Sequence, residues 1–114
     1  MRVAFFFDHD PRVARLREEL ESRRHRVVLV GPAASRPFLV ALFDDERPDI
    51  IHGLGRGPTA LWSAARFARR LRPLGTRWVS DVRGVPLVDG VVDASLPGPF
   101  LEAAYLRVLG LVAS

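Results

Sequence analysis

Five stretches of this chain are apolar without the polar–apolar alternation of a half-exposed sheet: Arg2–Phe7, Arg26–Val30, Asp49–His52, Arg77–Val82 and Val91–Leu96. A strand that is apolar on both faces must be covered on both faces. Parallel sheets sandwiched between helices meet that condition. The intervening segments carry the other period. Val13, Leu16 and Leu20 recur at helical spacing, as do Phe38, Leu39, Leu42 and Phe43. Leu61, Ala64, Ala65, Ala68 and Leu71 form a third such face, and Leu101, Ala104, Tyr105, Val108, Leu109 and Val112 a fourth.

The spacing predicts helices over Pro11 to about His25, Ser35–Glu46, Thr59–Leu71 and Phe100–Val112. Pro11 suits a first helical turn, with Asp8 or Asp10 as the cap before it. Gly84–Gly90 is too short and too rich in glycine and proline for a full helix. Strands alternating with helices give an α/β fold, a three-layer, doubly wound parallel sheet of five strands. Its expected order is 2-1-3-4-5, Rossmann-like or flavodoxin-like, with Phe5, Phe7, Val28, Ile50 and Val79 buried.

With 114 residues the expectation is one domain, 1–114, burying roughly two-thirds of its unfolded surface. A hydrophobic share of 48% beside 26% charged residues is that of a globular chain, not a disordered one. Apolar runs such as Val27–Val30 are far shorter than the roughly 20 residues that span a bilayer. The first residues lack signal-peptide architecture, so a cytoplasmic location is expected. There is no cysteine, and His9, His25 and His52 lack metal-ligand spacing. Neither a metal nor a cofactor is expected. All 17 positive charges are arginine, for a net charge of +4. Aromatic residues are not interleaved with these charges and no reading motif is present, so nucleic-acid binding is not expected.

The candidate site lies where strand 3 ends. His52 closes the strand, and Gly53-Leu54-Gly55-Arg56-Gly57 leads towards Thr59 and the next helix. Ligands of open parallel sheets sit beyond the carboxyl ends of the strands, facing helix N-termini. The glycines miss the G-x-G-x-x-G spacing, so a dinucleotide fingerprint is not met. What remains is a turn able to hold an anion or acceptor, with His52, Gly53, Gly55, Arg56, Gly57 and Thr59 as candidates. Asp8, after strand 1, and Asp81 and Arg83, after strand 4, reach the same edge. Each has a plainer reading: a core histidine, a helix cap, a mutual ion pair. Catalytic residues cannot be assigned.

Two families resemble these motifs. Asp10-Pro11-Arg12-Val13, Pro48-Asp49-Ile50-Ile51-His52 and Ser80-Asp81-Val82-Arg83-Gly84 are similar to "DPRV", "PDIVH" and "DVRG" segments of the N-terminal domain of GT-B (GT4-like) glycosyltransferases. That resemblance implies an acceptor-side domain, its partners a sugar acceptor or a nucleotide-sugar held by a second Rossmann half absent here. Phe7-Asp8-His9-Asp10-Pro11 and Leu96-Pro97-Gly98-Pro99-Phe100 instead resemble the "VDDDP" and "LPKPF" segments of response-regulator receiver domains. In that frame Ser80 falls at the switch Ser/Thr, Leu54 at the phosphoacceptor aspartate, His9 at a metal-binding acid and Gly98 at the lysine. The resemblance then implies a phosphorylation-silent receiver-like signalling domain. A structural or self-association module is the third reading. Phe100–Val112, apolar on more than one face, is expected to form a homodimer.

Overall fold

The structure, a computed structural model, describes residues 1–55, 75–85 and 88–111. Five strands form one parallel sheet in the order β2-β1-β3-β4-β5. They are β1 (Arg2–Phe6), β2 (Arg26–Val30), β3 (Ile50–Gly53), β4 (Arg77–Ser80) and β5 (Gly90–Val91). This is the expected order. The described helices are α1 (Val13–Ser22), α2 (Arg36–Ala41) and α3 (Gly98–Val108). The segment predicted as a helix over Thr59–Leu71, with Trp62, lies outside the described residues.

Because successive side chains of a strand point to opposite faces, the sheet has a core on each side. Ala4, Phe6, Ile51 and Trp78 pack with Leu39, Leu42 and Phe43 on the α2 side. Val3, Phe5, Ile50 and Val79 pack with Val13, Leu16, Leu20, Leu101 and Tyr105 on the side of α1 and α3. Trp78 is 1% exposed among Phe6 and Phe43, so it is a packing residue and not a stacking platform. Phe7 and Val28, expected to be buried, are half-buried. Val28 lies on β2, the edge of the sheet, where only one neighbouring strand covers it.

Three elements differ from expectation in extent, and the second helix keeps its expected bounds but changes type within them, for identifiable reasons. α1 begins at Val13 because Pro11 and Arg12 form a turn, held by Arg12 N–H donating to Asp10 Oδ1 at 2.9 Å. The second helix starts at a Ser35 cap with Pro37 in its first turn, then widens into a π-turn over Leu42–Glu46. Arg47 N–H there reaches back five residues to Leu42 O, and Arg47 adopts a left-handed conformation. Pro48 disfavours helical geometry at residue 47, so the helix cannot run on. The fifth strand is two residues long instead of Val91–Leu96. Asp93 accepts hydrogen bonds from Ser95 N–H and Oγ and turns the chain away. α3 stops at Val108, short of Val112, because Gly110 takes a φ of +74° and Leu111 N–H closes on Leu106 O.

Candidate functional site

β3 and β4 end in register, with His52 opposite Val79 and Gly53 opposite Ser80. The pleat therefore sends His52 into the core between the sheet and α3, while the residues that follow reach the edge. His52 is fully buried. Its Nε2 lies 3.0 Å from Val92 O and its Nδ1 2.6 Å from the Tyr105 hydroxyl. A carbonyl only accepts, so Nε2 carries the proton and Nδ1 accepts from Tyr105 O–H. Tyr105 also stands edge-on to the imidazole, with ring centroids 5.6 Å apart. Burial pushes the His52 pKa down to about 4 and the Tyr105 pKa well above its usual value. The imidazole is thus neutral at pH 7, with both nitrogens committed. His52 holds α3 and the β5 turn to the sheet and offers nothing to a ligand.

The solvent-facing group at this edge is an ion cluster that the sequence reading only half anticipated. Arg12 Nη2 donates to Asp10 Oδ2 and to Asp81 Oδ2, both at 2.6 Å. Arg12 Nε also donates to both Asp10 oxygens, at 3.0 and 3.2 Å. The second Asp81 oxygen accepts from Gly55 N–H at 2.7 Å. One carboxylate therefore ties the start of α1, the end of β4 and the turn after β3. The Asp81 side chain is 6% exposed, that of Asp10 14% and that of Arg12 36%. The Arg12 hydrogen bonds hold the Asp10 carboxyl below its ordinary range, and the two carboxylates, Asp10 foremost, raise the Arg12 guanidinium further. Asp81 pairs with Arg12 and not with Arg83, which is exposed in the following turn. Asp8 is exposed just before this cluster. Gly53 is buried and Gly55 borders the edge, while Arg56, Gly57 and Thr59 lie outside the described residues.

Three further positions carry the receiver frame. Leu54, at the acceptor position, is 4% exposed and packs in the core with Val92 and Ala94. The Ser80 hydroxyl is buried and accepts from Val82 N–H at 3.2 Å, so it serves its own chain. Gly98 begins α3 against α1, where a Cβ would lie 3.3 Å from Glu19 Cβ. The residue in the lysine position is thus a point of close helix approach. On α3, Leu101 and Tyr105 are spent on the core while Phe100 is 64% exposed, and Leu111, past the end of the helix, is 71% exposed.

No family model matches the chain, and no curated protein matches it. Among solved structures it is similar to a CheY-like protein, TadZ from Pseudomonas aeruginosa PAO1. The TM-score is 0.61 at 18% identity, over 100% of this chain and 97% of that chain. The fold is CheY-like. This full-length correspondence corrects the glycosyltransferase assignment: no comparison supports a GT-B domain or a transferase. The motifs behind it have structural explanations. "DPRV" is the Asp10–Arg12 turn that starts α1, and "PDIIH" is a buried central strand ending in a core histidine. Among the described residues no helix is long and apolar enough to cross a membrane, and no three His, Asp or Glu side chains converge to hold a metal ion.

Proposed function

We propose that this domain is a phosphorylation-silent, receiver-like signalling module that acts by docking and not by phosphoryl transfer. The observation that carries the reading is the Arg12 guanidinium seated between the Asp10 and Asp81 carboxylates. Phosphoryl transfer needs an acceptor carboxylate and acids that hold a divalent cation beside it. Here the acceptor position is an aliphatic side chain in the core. Asp10 and Asp81 already hold a cation that is part of the chain. Their lone pairs point at N–H groups, and a metal would have to displace a guanidinium at 2.6 Å from each. The residues do not fit a divalent cation.

In this reading the ion cluster does structurally what a bound cation would otherwise do. It fixes the turn after β3 through Gly55 N–H and the start of α1 through Asp10, whatever the phosphorylation state of the cell. A domain held in one conformation presents constant surfaces and suits a constitutive docking role. A magnesium titration followed by amide NMR tests this. The expected result is no saturable shift at Asp10, Gly55 or Asp81 up to millimolar magnesium. Saturable shifts confined to those residues would show a cation site and defeat the reading.

A further inference from the structure

The sheet ends at β2, whose outer side pairs with no other strand among the described residues. Arg26 N–H donates to Met1 O, and Val30 O accepts from Phe7 N–H. In a strand both main-chain groups of one residue point the same way, and neighbours alternate. Arg26, Val28 and Val30 therefore face β1, while Val27 and Leu29 turn their N–H and C=O groups outward. Edge strands are commonly blunted by lysine, proline or a bulge. β2 has none of these after Arg26: Val27-Val28-Leu29-Val30 is wholly aliphatic and regularly paired along its inner side.

This edge forms the floor of a groove of about 680 Å³, walled by α1 on one face of the sheet and α2 on the other. Val27, Val28 and Leu29 line the floor and are half-buried, and Phe38 of α2 stands 43% exposed at the lip. The rim charges are largely matched within the chain, Arg17 with Glu21 at 2.7 Å and Arg26 with Glu46 at 2.6 Å. Asp45 adds one carboxylate, so the rim has two arginines against three acids. A strongly charged peptide would find little to pair with.

We propose that β2 pairs antiparallel with β2 of a second copy of this chain across a two-fold axis at Val28, joining two sheets into one. The register follows from the free groups. With Val28 on the axis, Val27 of one copy lies opposite Leu29 of the other, and each such pair exchanges both N–H···O=C bonds. The outward donors and acceptors of both copies are then all satisfied by four bonds. Val28 meets its own counterpart at the non-bonded central position, where side chains approach closest. The contact is isologous and closes at two copies. An unrelated strand could use the same edge, but the edge complements itself without any further chain.

Sedimentation equilibrium on the intact protein, combined with amide hydrogen exchange, tests the proposal. The expected result is a dimer in which the Val27 and Leu29 amides exchange fast when dilute and slow when concentrated, with Val28 protected in both. Leu29→Pro deletes an outward N–H while sparing the bonds to β1. It should weaken association by at least about tenfold, as loss of two cross-dimer bonds requires. Phe100→Glu, on the final helix, should leave association unchanged. Val28→Lys, which sets like charges across the axis, serves as a second disrupting variant should Leu29→Pro fail to fold. A wild type monomeric at every concentration would overturn the proposal. So would a dimer that survives both β2 variants, or one broken by Phe100→Glu.

Discussion

His52 and Asp81 end neighbouring strands, both were legible as site candidates, and the fold treats them in opposite ways. His52 points into the α3 side of the core and is satisfied by two uncharged partners, Tyr105 and Val92 O. Asp81 follows the last residue of β4, reaches the rim and is satisfied by a guanidinium and a backbone amide. The difference is two residues of reach: Val79 stands opposite His52, and Asp81 lies two residues further, past the end of β4. It teaches that arrival at the carboxyl edge of a parallel sheet does not make a residue a ligand group. Whether it stops within the covered part of the sheet or passes the strand end decides whether it must be neutral and sealed or can remain charged and paired.

The two regions should therefore fail differently. His52→Ala should have the largest effect, about 3–4 kcal/mol of lost stability by denaturant unfolding. It leaves a cavity and orphans both the Tyr105 hydroxyl and the Val92 carbonyl. A loss below about 1 kcal/mol would mean the pocket refills and His52 is not the anchor described.

Acid should expose the same pocket next. His52 has a folded pKa of about 4 against 6.5 unfolded, so the unfolded chain binds the extra proton between those values. The contribution is present in full above about pH 6.5 and is lost as pH falls towards 4, amounting to about 3 kcal/mol. A second, lower window follows from Glu102, which hydrogen bonds from Arg23 and then His25 hold down to about 2. That contribution is lost below the ordinary carboxylate range. Thermal melts of wild type and His52→Phe between pH 7 and 4 separate the two, since only the wild type should lose stability above pH 5.

Asp81→Ala should cost less, about 1–2 kcal/mol, by orphaning Gly55 N–H and leaving Arg12 to Asp10 alone. Because Arg12 is partly exposed, part of that cost should disappear at high salt, whereas the His52→Ala cost should not change. Equal salt sensitivity at both sites would erase the comparison. Arg17→Ala, which removes an exposed pair with Glu21, should change stability by no more than about 0.5 kcal/mol.

The parts of this fold that were readable from sequence are those written in local periods. Unalternating apolar runs announced a parallel sheet, and the chain order of strands and helices led to 2-1-3-4-5. Pro11 pointed to a helix start nearby, but Asp10 closes the turn before α1 and not the helix, whose N-cap is Arg12 without a side-chain cap bond. The π-turn over Leu42–Glu46 and the brevity of β5 were not readable, because each depends on what the chain must reach. The β5 segment bends inward so that Val92 O meets His52, forty residues away in sequence. Arg12 was missed for the same reason. It is one of 17 arginines, and nothing near it signals a bond to an aspartate 69 positions on. Its position two residues after Asp10 was the one available clue. Leu54 was conspicuous in sequence as a missing functional residue, and its place in the core gives that absence a structural sense.

The central claim is that the acids at this edge hold Arg12 in place of phosphorylation chemistry. Its most direct test is intact-mass measurement after incubation with a small phosphodonor, such as acetyl phosphate, and magnesium. The account predicts an unchanged mass, with Leu54 unable to accept and Asp10 and Asp81 engaged by the guanidinium. An acid-labile adduct of one phosphoryl group mapping to Asp8, Asp10 or Asp49 would contradict it.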